Sequence, residues 1–128
     1  MAFGRRQIEV AETNHARGVR AEALAASYLK KAGFEILRKR YKTKFGEIDL
    51  ILQKADLICF VEVKARKNIA EALESVTLRA QNRIEKSALF FISENPDYVG
   101  FNMRFDVVAI TGDGVITHLD NAWVATIY

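Results

Sequence analysis

Hydrophobic residues recur along this chain at two spacings, one typical of helices and the other typical of strands. An alanine-rich stretch that begins at about Asn14 has the helical spacing. Its apolar positions lie three or four residues apart, at Val19, Ala23, Ala26 and Leu29. Asn14 is placed to cap the start of this helix, and Gly33 is placed to end it in a left-handed conformation. The pattern therefore predicts an amphipathic helix near the start of the chain.

Shorter apolar runs follow, and they predict strands on either side of a second helix. The first three strands are expected at residues 34–41, 46–53 and 57–65. The polar stretch 66–76 predicts a loop, after which Thr77 is placed to cap a helix that ends at Asn95 and Pro96. The apolar stripe of this helix consists of Ile84, Ala88, Phe91 and Ile92. Two further strands are expected at residues 103–111 and 115–120.

The order of elements, α-β-β-β-α-β-β, predicts the fold class. Three strands with short connections form an antiparallel meander, and the second helix is long enough to lay strand four parallel to strand three by a right-handed crossover. Strands two, three and four are apolar on both sides, as expected when both faces are covered. We therefore predict an α/β fold, a mixed β-sheet with a helix on each face. A flexible N-terminal arm is expected over residues 1–13 and a single domain over residues 14–128.

Four charged residues interrupt the apolar pattern of the second and third strands: Glu47, Asp49, Glu62 and Lys64. Side chains alternate across a strand, so these charges are expected on one face of the hairpin and Ile48, Leu50 and Leu52 on the other. A four-residue turn at positions 53–56 would place Asp49 diagonal to Glu62, and Glu47 directly opposite Glu62. Such a group of carboxylates destabilises a hairpin unless something positive lies between them.

Burying carboxylates costs several kcal/mol, and three arrangements would offset that cost. A divalent cation such as Mg²⁺ can lie between Asp49 and Glu62, Lys64 can pair with them, or solvent can reach the end of the hairpin. The residues alone leave these alternatives open. A metal held by two carboxylates polarises a phosphate oxygen and lowers the pKa of a bound water, and a nearby lysine positions that water or neutralises charge. The set therefore suits hydrolysis of a phosphodiester. Asp106 is a further acid within an apolar strand, and the sequence leaves open whether it lies near the same face.

Composition limits the class of protein and its compartment. The chain has 128 residues, of which 50% are hydrophobic and 27% charged, as is usual for a globular domain. Its one cysteine, Cys59, excludes an internal disulfide and is expected to be a small buried strand residue. No apolar run follows the N-terminal arginines, and none approaches the roughly 20 residues that span a bilayer, so we expect a cytoplasmic protein with no membrane partner.

Basic residues are concentrated in one stretch, although the net charge is only +3. The members of this basic set are Arg38, Lys39, Arg40, Lys42 and Lys44, to which Arg66 adds after the third strand. One interpretation is a solvated strand end and loop. The other is a patch that faces the phosphates of a nucleic acid.

Several segments carry a family resemblance. Asp49 on one strand and Glu62-Val63-Lys64 on the next resemble the PD-(D/E)XK nuclease superfamily, although Ile48 stands where the superfamily name has proline. The segments GEIDLI, FVEVKAR, AEALAASYLKKAGFEIL and RFDVVAI more closely resemble the YraN-type family of small bacterial proteins. That family is similar to archaeal Holliday junction resolvases. The resemblance covers about residues 14–125 and implies a restriction-endonuclease-like fold.

The resemblance also implies roles for individual residues. Asp49 and Glu62 match metal ligands, which would bind Mg²⁺ or Mn²⁺, and Lys64 matches a catalytic lysine. Glu22 matches an acidic helix residue that faces the site, and Gln81 matches a polar residue beside the metal. The alternatives are a solvated glutamate at Glu22 and, at Gln81, a polar end to the apolar stripe of the second helix.

Three functions follow from these observations. The first is a metal-dependent nuclease that acts on DNA, with branched DNA as the substrate the resemblance implies. The second is a non-catalytic nucleic-acid-binding protein with the same fold, and the third is an interaction module with a vestigial site. The intact set of Asp49, Glu62 and Lys64 favours the first. Resolvase-like relatives act as dimers, so the resemblance also implies a homodimer.

Overall fold

The computed structural model describes residues 13–126, and helix α1, Asn14–Lys31, is its first element. The predicted arm falls almost wholly on residues 1–12, which lie outside the described residues. The cap of α1 is Thr13 and not Asn14, because the Thr13 hydroxyl accepts a hydrogen bond of 3.0 Å from the Ala16 amide. Gly33 ends this part of the chain with a φ of 96°, the left-handed conformation that was predicted.

The buried face of α1 differs in part from the predicted stripe. Its buried residues are Ala21, Ala25, Ala26 and Leu29. Val19 and Ala23, which were predicted on this face, are exposed. Alanines occupy both sides of the helix, so the two sides differ little in hydrophobicity. The sequence therefore does not reveal which side faces the core. The small buried side chains allow α1 to lie close to the sheet.

Five strands form one mixed sheet with the order β1-β2-β3-β4-β5. Their bounds are Glu35–Lys42, Glu47–Lys54, Leu57–Ala65, Asn102–Ile110 and Ile116–Trp123. β3 and β4 are parallel, and the other neighbouring strands are antiparallel. The predicted strands, the meander and the parallel crossover are confirmed, with strand ends that shift by at most three residues.

The predicted loop between β3 and the next helix contains a short helix, α2, Ile69–Glu74. Asn68 caps α2 by accepting a hydrogen bond of 2.8 Å from the Glu71 amide. The prediction of an irregular segment over 66–76 was therefore wrong at its centre. Six residues span fewer than two helical turns, so the apolar period that identifies a longer helix is absent here.

The second predicted helix is α3, Leu78–Glu94, followed by a 3₁₀ turn at Pro96–Tyr98. Thr77 caps α3 as predicted and accepts a hydrogen bond of 3.2 Å from the Ala80 amide. Within residues 13–126, no helix is both long and apolar enough to span a membrane.

Each face of the sheet carries its own hydrophobic core. The core beneath α1 includes Leu29, Leu50, Val61 and Val108, and the core beneath α3 includes Ile51, Phe60, Phe91 and Val107. The predicted fold class, an α/β mixed sheet with a helix on each face, is confirmed. Cys59 is buried in the α1 core as predicted, and burial, with the nearby Asp106 carboxylate, raises the pKa of its thiol to about 12.

The hairpin of β2 and β3 has a tighter turn than predicted. Lys54 pairs with Leu57, so the turn contains two residues, Ala55 and Asp56, and Ala55 has a φ of 52°. The predicted register placed Leu52 opposite Leu57, which is wrong by two residues. A shift of two residues does not by itself move any side chain to the other face. It does change which charges meet, and this change brings the two central carboxylates closer together.

The regular alternation of β2 side chains between the two cores is interrupted at Asp49. Leu50 and Leu52 pack in the α1 core, as strict alternation predicts, but Ile48 packs in the α3 core with Ile51. In the neighbouring strand Arg40 has a φ of 51°, which is uncommon for a residue with a side chain. The prediction that Ile48 shares a face with Leu50 was therefore wrong, because the backbone changes its twist here. This irregular point is where the candidate site lies.

Candidate active site

The two central carboxylates lie where β2 and β3 separate. Regular pairing of these strands ends at Leu50 and Val61. One residue further along each strand, Asp49 and Glu62 are level with each other, and not diagonal as predicted. The Val63 amide donates a hydrogen bond of 2.8 Å to Asp49 Oδ2. The Asp49 amide makes a longer contact of 3.4 Å with Glu62 Oε1, so each carboxylate replaces part of the lost strand pairing.

Burial makes ionisation of this pair unfavourable. Burial raises the pKa of Asp49 to about 6, with smaller increases from Glu22 and Glu47, while the Val63 hydrogen bond and Lys64 oppose the shift. Burial also raises the pKa of Glu62 to about 8, and the Asp49 carboxylate is the next largest cause. The Glu62 side chain is only 8% exposed, so solvent screens its charge poorly. At neutral pH the pair therefore favours keeping a proton.

Lys64 is the third member of the predicted set, and the structure brings it into the same electrostatic group. Its positive charge lowers the pKa values of both Asp49 and Glu62. Among the residues that the structure describes, no ion pair within 4.0 Å joins Lys64 to either carboxylate. Lys64 is therefore near enough to act on the carboxylates through its charge without neutralising them by direct contact.

Glu22 reaches the site from α1. It lines a pocket of about 390 Å³ together with Arg40, Lys42, Glu47 and Asp49, and we call this the carboxylate pocket. Glu22 Oε1 accepts a hydrogen bond of 2.9 Å from Arg40 Nε. This ion pair raises the pKa of Arg40, and the Glu47 and Asp49 carboxylates add to that effect. The alternative of a solvated Glu22 is wrong, since its side chain is 20% exposed and paired with Arg40.

The side chain of Gln81 has its hydrogen-bond partner outside this group. Its side-chain amide donates a hydrogen bond of 3.0 Å to the Val76 carbonyl, in the segment that joins α2 to α3. That bond is with the backbone and not with Asp49 or Glu62. A role for Gln81 beside the metal stays a prediction.

The predicted basic residues divide into different environments. The Arg38 guanidinium lies 5.5 Å from the centre of the Phe91 ring, and Lys44 lies 5.3 Å from that of Phe45. Lys39 is exposed on β1, and Lys42 is exposed where it lines the carboxylate pocket. Arg66 is exposed beyond the end of β3 and lines a second pocket. The members of the basic set therefore differ in their neighbours, and of this set Arg40 and Lys42 line the carboxylate pocket.

Asp106, whose place the sequence left open, bonds to Arg104 and His118 and not to the carboxylate pair. It lies opposite Val61 in the parallel pairing of β3 and β4, and it alternates with Phe105 and Val107 of the α3 core. Arg104 donates two hydrogen bonds of 2.9 Å to its carboxylate, and His118 lies 2.8 Å from it. Burial would raise the pKa of Asp106, but these bonds and one from the Asn121 amide lower it. Asp106 is therefore held as a stable anion within the fold.

Glu85 is a buried carboxylate that the sequence pattern did not reveal. It is 1% exposed and lies on the inner face of α3, where the predicted apolar stripe contained no carboxylate. Its two oxygens accept hydrogen bonds of 3.0 Å from Trp123 Nε1 and from the Thr126 amide. Glu85 therefore fastens the end of β5 to α3.

The donor set at the pair suits a hard cation. Within residues 13–126 no group of three or more His, Cys, Asp or Glu side chains is placed to hold a metal ion. Mg²⁺, however, is commonly bound through one or two carboxylates, with waters and substrate phosphates as its other ligands. Asp49 and Glu62 meet that requirement, and a divalent charge would offset the burial and the weaker repulsion that together raise their pKa values. The residues present therefore fit such an ion.

Solved structures with a partly similar chain include two DNA-related proteins. One is described as the structure of an EndoMS-dsDNA2 complex, with a TM-score of 0.46, 19% identity, and coverage of 80% of this chain and 38% of that one. The other is a repair endonuclease from Pyrococcus abyssi, with a TM-score of 0.43, 19% identity, and coverage of 83% and 42%. This chain therefore spans less than half the length of either protein.

Sequence comparison finds much nearer relatives. A UPF0102 protein of Mesorhizobium japonicum is 45% identical over 107 residues, which cover 84% of this chain and 86% of the relative. A UPF0102 protein of Bartonella tribocorum is 48% identical over 94 residues, which cover 73% and 72%. The model of the family described as "Uncharacterised protein family UPF0102" matches residues 21–110, a range that contains the carboxylate pair, Lys64 and Glu22. The chain belongs to this family, which confirms the YraN-type resemblance seen in its sequence.

Proposed function

We propose that this protein is a metal-dependent nuclease that hydrolyses phosphodiester bonds of DNA. The observation that carries the proposal is the pair Asp49 and Glu62, buried side by side with raised pKa values at the point where β2 and β3 separate. Strongly shifted carboxyls beside a pocket are typical of functional sites. A pair that served only the fold would be more stable as two apolar side chains.

Asp49 and Glu62 would hold Mg²⁺ or Mn²⁺ in the active protein. When bound, such an ion polarises a phosphoryl oxygen and lowers the pKa of a coordinated water. Lys64, whose charge already acts on both carboxylates, would stabilise the negative charge that develops on the phosphoryl group during attack. Glu22 would orient the Arg40 guanidinium at the edge of the carboxylate pocket through their 2.9 Å ion pair.

Charge around the pocket supports a nucleic-acid substrate. Lys42 lines the carboxylate pocket with Asp49, and Lys39 is exposed on the same edge strand. Positive side chains at the mouth of a site that itself favours cations would hold a polyanion close to the carboxylates. Branched DNA as the preferred substrate and a homodimeric state follow from the family resemblance, and both stay predictions.

Cleavage assays on defined substrates test this proposal. Labelled single-stranded, duplex, flapped and four-way DNA are incubated with the purified protein in Mn²⁺, in Mg²⁺ and in a chelator. We expect metal-dependent cleavage by the wild type, and a loss of at least about a hundredfold in Asp49→Asn and in Lys64→Met. Glu74→Gln, which changes an exposed carboxylate on α2, is the matched control and should cut as the wild type does.

Two results would contradict the proposal. Cleavage that persists in Asp49→Asn at the wild-type rate would mean that the carboxylate pair does not hold the reacting site. Tight DNA binding with no cleavage of any substrate in either metal would favour the second candidate, a non-catalytic nucleic-acid-binding protein. That candidate is supported by the exposed lysines of β1 and by the Glu22–Arg40 ion pair, which occupies part of the pocket.

A further inference from the structure

A second and larger pocket lies on the other side of α1 from the carboxylate pocket. It has a volume of about 560 Å³ and is bounded by the first half of α1 and by the adjacent C-terminal ends of β3 and β4. We call it the basic cleft. Its volume is within the range of about 300–1,000 Å³ that small-ligand sites have. Nothing in the hydrolytic chemistry proposed above uses it.

Positive charge dominates the walls of the basic cleft. Its charged lining residues are Arg17, Arg20, Arg66 and Lys67, and within residues 13–126 no acidic residue lines it. Arg66 uses Nη1 to bond the Ala65 carbonyl at 2.9 Å, which fixes the start of its side chain beside the cleft and leaves its other donors available for an anion. Asp113, which lies between the lining residues Gly112 and Gly114, accepts hydrogen bonds from the Thr111 hydroxyl and the Val115 amide.

The floor of the basic cleft is apolar. It consists of Ala21, Leu24, Ala65 and Ile110. Leu24 is 45% exposed although it belongs to a helix with a buried apolar face. A site for a bare phosphate needs donors only, and a surface that meets the backbone of a duplex meets only phosphates and sugars. Cations around an apolar floor suit a ligand that has both an anionic group and a flat apolar group.

The basic cleft is connected to the candidate active site through two elements. In α1, Gly18 and Glu22 line the carboxylate pocket, while Arg17 and Ala21 line the basic cleft. In β3, Arg66 follows Lys64 by two residues, a distance of about 7 Å along an extended chain. A strand of nucleic acid that places one phosphate at the carboxylate pair would thus bring a neighbouring nucleotide to the basic cleft.

We propose that the basic cleft binds an unpaired nucleotide of the substrate strand. The phosphate lies against Arg17, Arg66 and Lys67, and the base lies on Leu24 and Ile110. The inference rests on the proposed function for the identity of its ligand, and it narrows the substrate to DNA that has an unpaired strand next to the cleaved bond. A base within an intact duplex is stacked and paired, so it cannot reach this floor.

Binding in a chelator tests the inference without catalysis. The probes are a short fluorescent oligothymidylate and a duplex of the same length, and affinity is measured by anisotropy for the full chain. We expect Arg17→Gln/Arg66→Gln to bind the single strand at least about tenfold more weakly than the wild type. The control, Lys30→Gln/Lys31→Gln, removes the same charge from the other end of α1 and should change affinity by less than about twofold.

A substitution in the apolar floor of the basic cleft distinguishes the contribution of the base to binding from that of the phosphate. Leu24→Asp should weaken single-strand binding by about tenfold, and the uncharged Leu24→Asn should weaken it by about threefold. Neither variant should change the affinity for the duplex by more than about twofold. In competition, thymidine monophosphate should displace the oligonucleotide, and inorganic phosphate at the same concentration should not. Since Leu24 is exposed, both variants should melt within a few degrees of the wild type.

The outcomes separate this inference from the proposed nuclease function. Unchanged single-strand affinity in both the double arginine variant and Leu24→Asp would overturn the inference, even if the wild type cuts DNA. Displacement by inorganic phosphate as effective as that by the nucleotide would also overturn it, because the floor would then contribute nothing. Binding that depends on the cleft in a protein that cuts no substrate would uphold the inference and contradict the nuclease.

Discussion

Replacing Asp49 by Asn tests whether this carboxylate serves the chemistry of the site or the stability of the fold. The substitution preserves the shape of the side chain and an oxygen that accepts the hydrogen bond from the Val63 amide. It removes the negative charge that burial disfavours and that raises the pKa of Glu62. We therefore expect the metal-free Asp49→Asn protein to be more stable than the wild type, and to have lost its response to Mn²⁺.

The magnitude follows from the raised pKa. A shift from 3.8 to about 6 means that the ionised Asp49 side chain at pH 7 lowers the stability of the metal-free fold by about 3 kcal/mol. The new amide group brings two donors that must find partners in a half-buried site, which costs about 1–2 kcal/mol. The net gain is therefore about 1–2 kcal/mol, which corresponds to a rise in Tm of roughly 4–8 °C for a domain of this size.

Melting curves at pH 7 in a chelator and in excess Mn²⁺ measure both expectations. The wild type should gain about 2–3 kcal/mol with Mn²⁺ at a hundred times its Kd, and Asp49→Asn should gain nothing. Glu74→Gln controls for removal of an exposed carboxylate and should differ by less than about 0.5 kcal/mol. A loss of several kcal/mol in metal-free Asp49→Asn would refute the reasoning, because Asp49 would then be part of a stabilising ion pair.

Three further predictions concern charges on different parts of the molecule. The raised pKa of Glu62 means that the folded state holds more protons than the unfolded state between pH 4.5 and about 8, so lowering the pH from 8 to 6 should stabilise the metal-free protein by about 2 kcal/mol. Melting against pH should show this for the wild type and a response of less than about 1 kcal/mol for Glu62→Gln, which keeps the raised pKa of Asp49. Arg40→Gln should bind Mn²⁺ about fivefold more tightly by calorimetry, because Arg40 is a positive charge that Glu22 holds beside the carboxylates. Glu85→Gln should lose about 2 kcal/mol in urea unfolding, since its amide would face the Trp123 and Thr126 donors.

Each of these expectations has a result that would contradict it. Stability that does not rise when the pH is lowered from 8 to 6 would mean that Glu62 is ionised in the native state without a penalty. For Arg40, the control is Lys39→Gln on the same strand, and equal Mn²⁺ affinity in the two variants would remove the special role of Arg40. Unfolding of Glu85→Gln within 0.5 kcal/mol of the wild type would show that its two hydrogen bonds contribute little.

The sequence was sufficient to place the carboxylates together although it placed them in the wrong register. Alternation in β3 assigned Phe60 and Val61 to opposite cores correctly. The predicted hairpin turn was too long by two residues, which gave Asp49 the wrong partner on β3. Because two is an even number of residues, Asp49 stayed on its predicted face and beside Glu62. The prediction succeeded because period-two patterning determines the face more strongly than turn length determines the register.

Other features were beyond a pattern of apolar positions. Ile48 changes face where the backbone is irregular, next to Arg40 in the neighbouring strand. The φ of 51° at Arg40 could not be predicted from the type of residue at that position. The polar network of Asp106 needs the Asn121 amide, which is supplied at an irregularity in the pairing of β4 with β5. Such features arise from contacts between residues that are distant in sequence.

The burial of Cys59 gives the molecule an experimental convenience. Its thiol is the only one in the chain, lies beneath α1, and has a pKa of about 12, so at neutral pH almost none of it is the reactive thiolate. A cysteine introduced at an exposed position can therefore be alkylated or spin-labelled selectively without first replacing Cys59. Distances between such a label and a labelled DNA end would show how the substrate lies across the sheet.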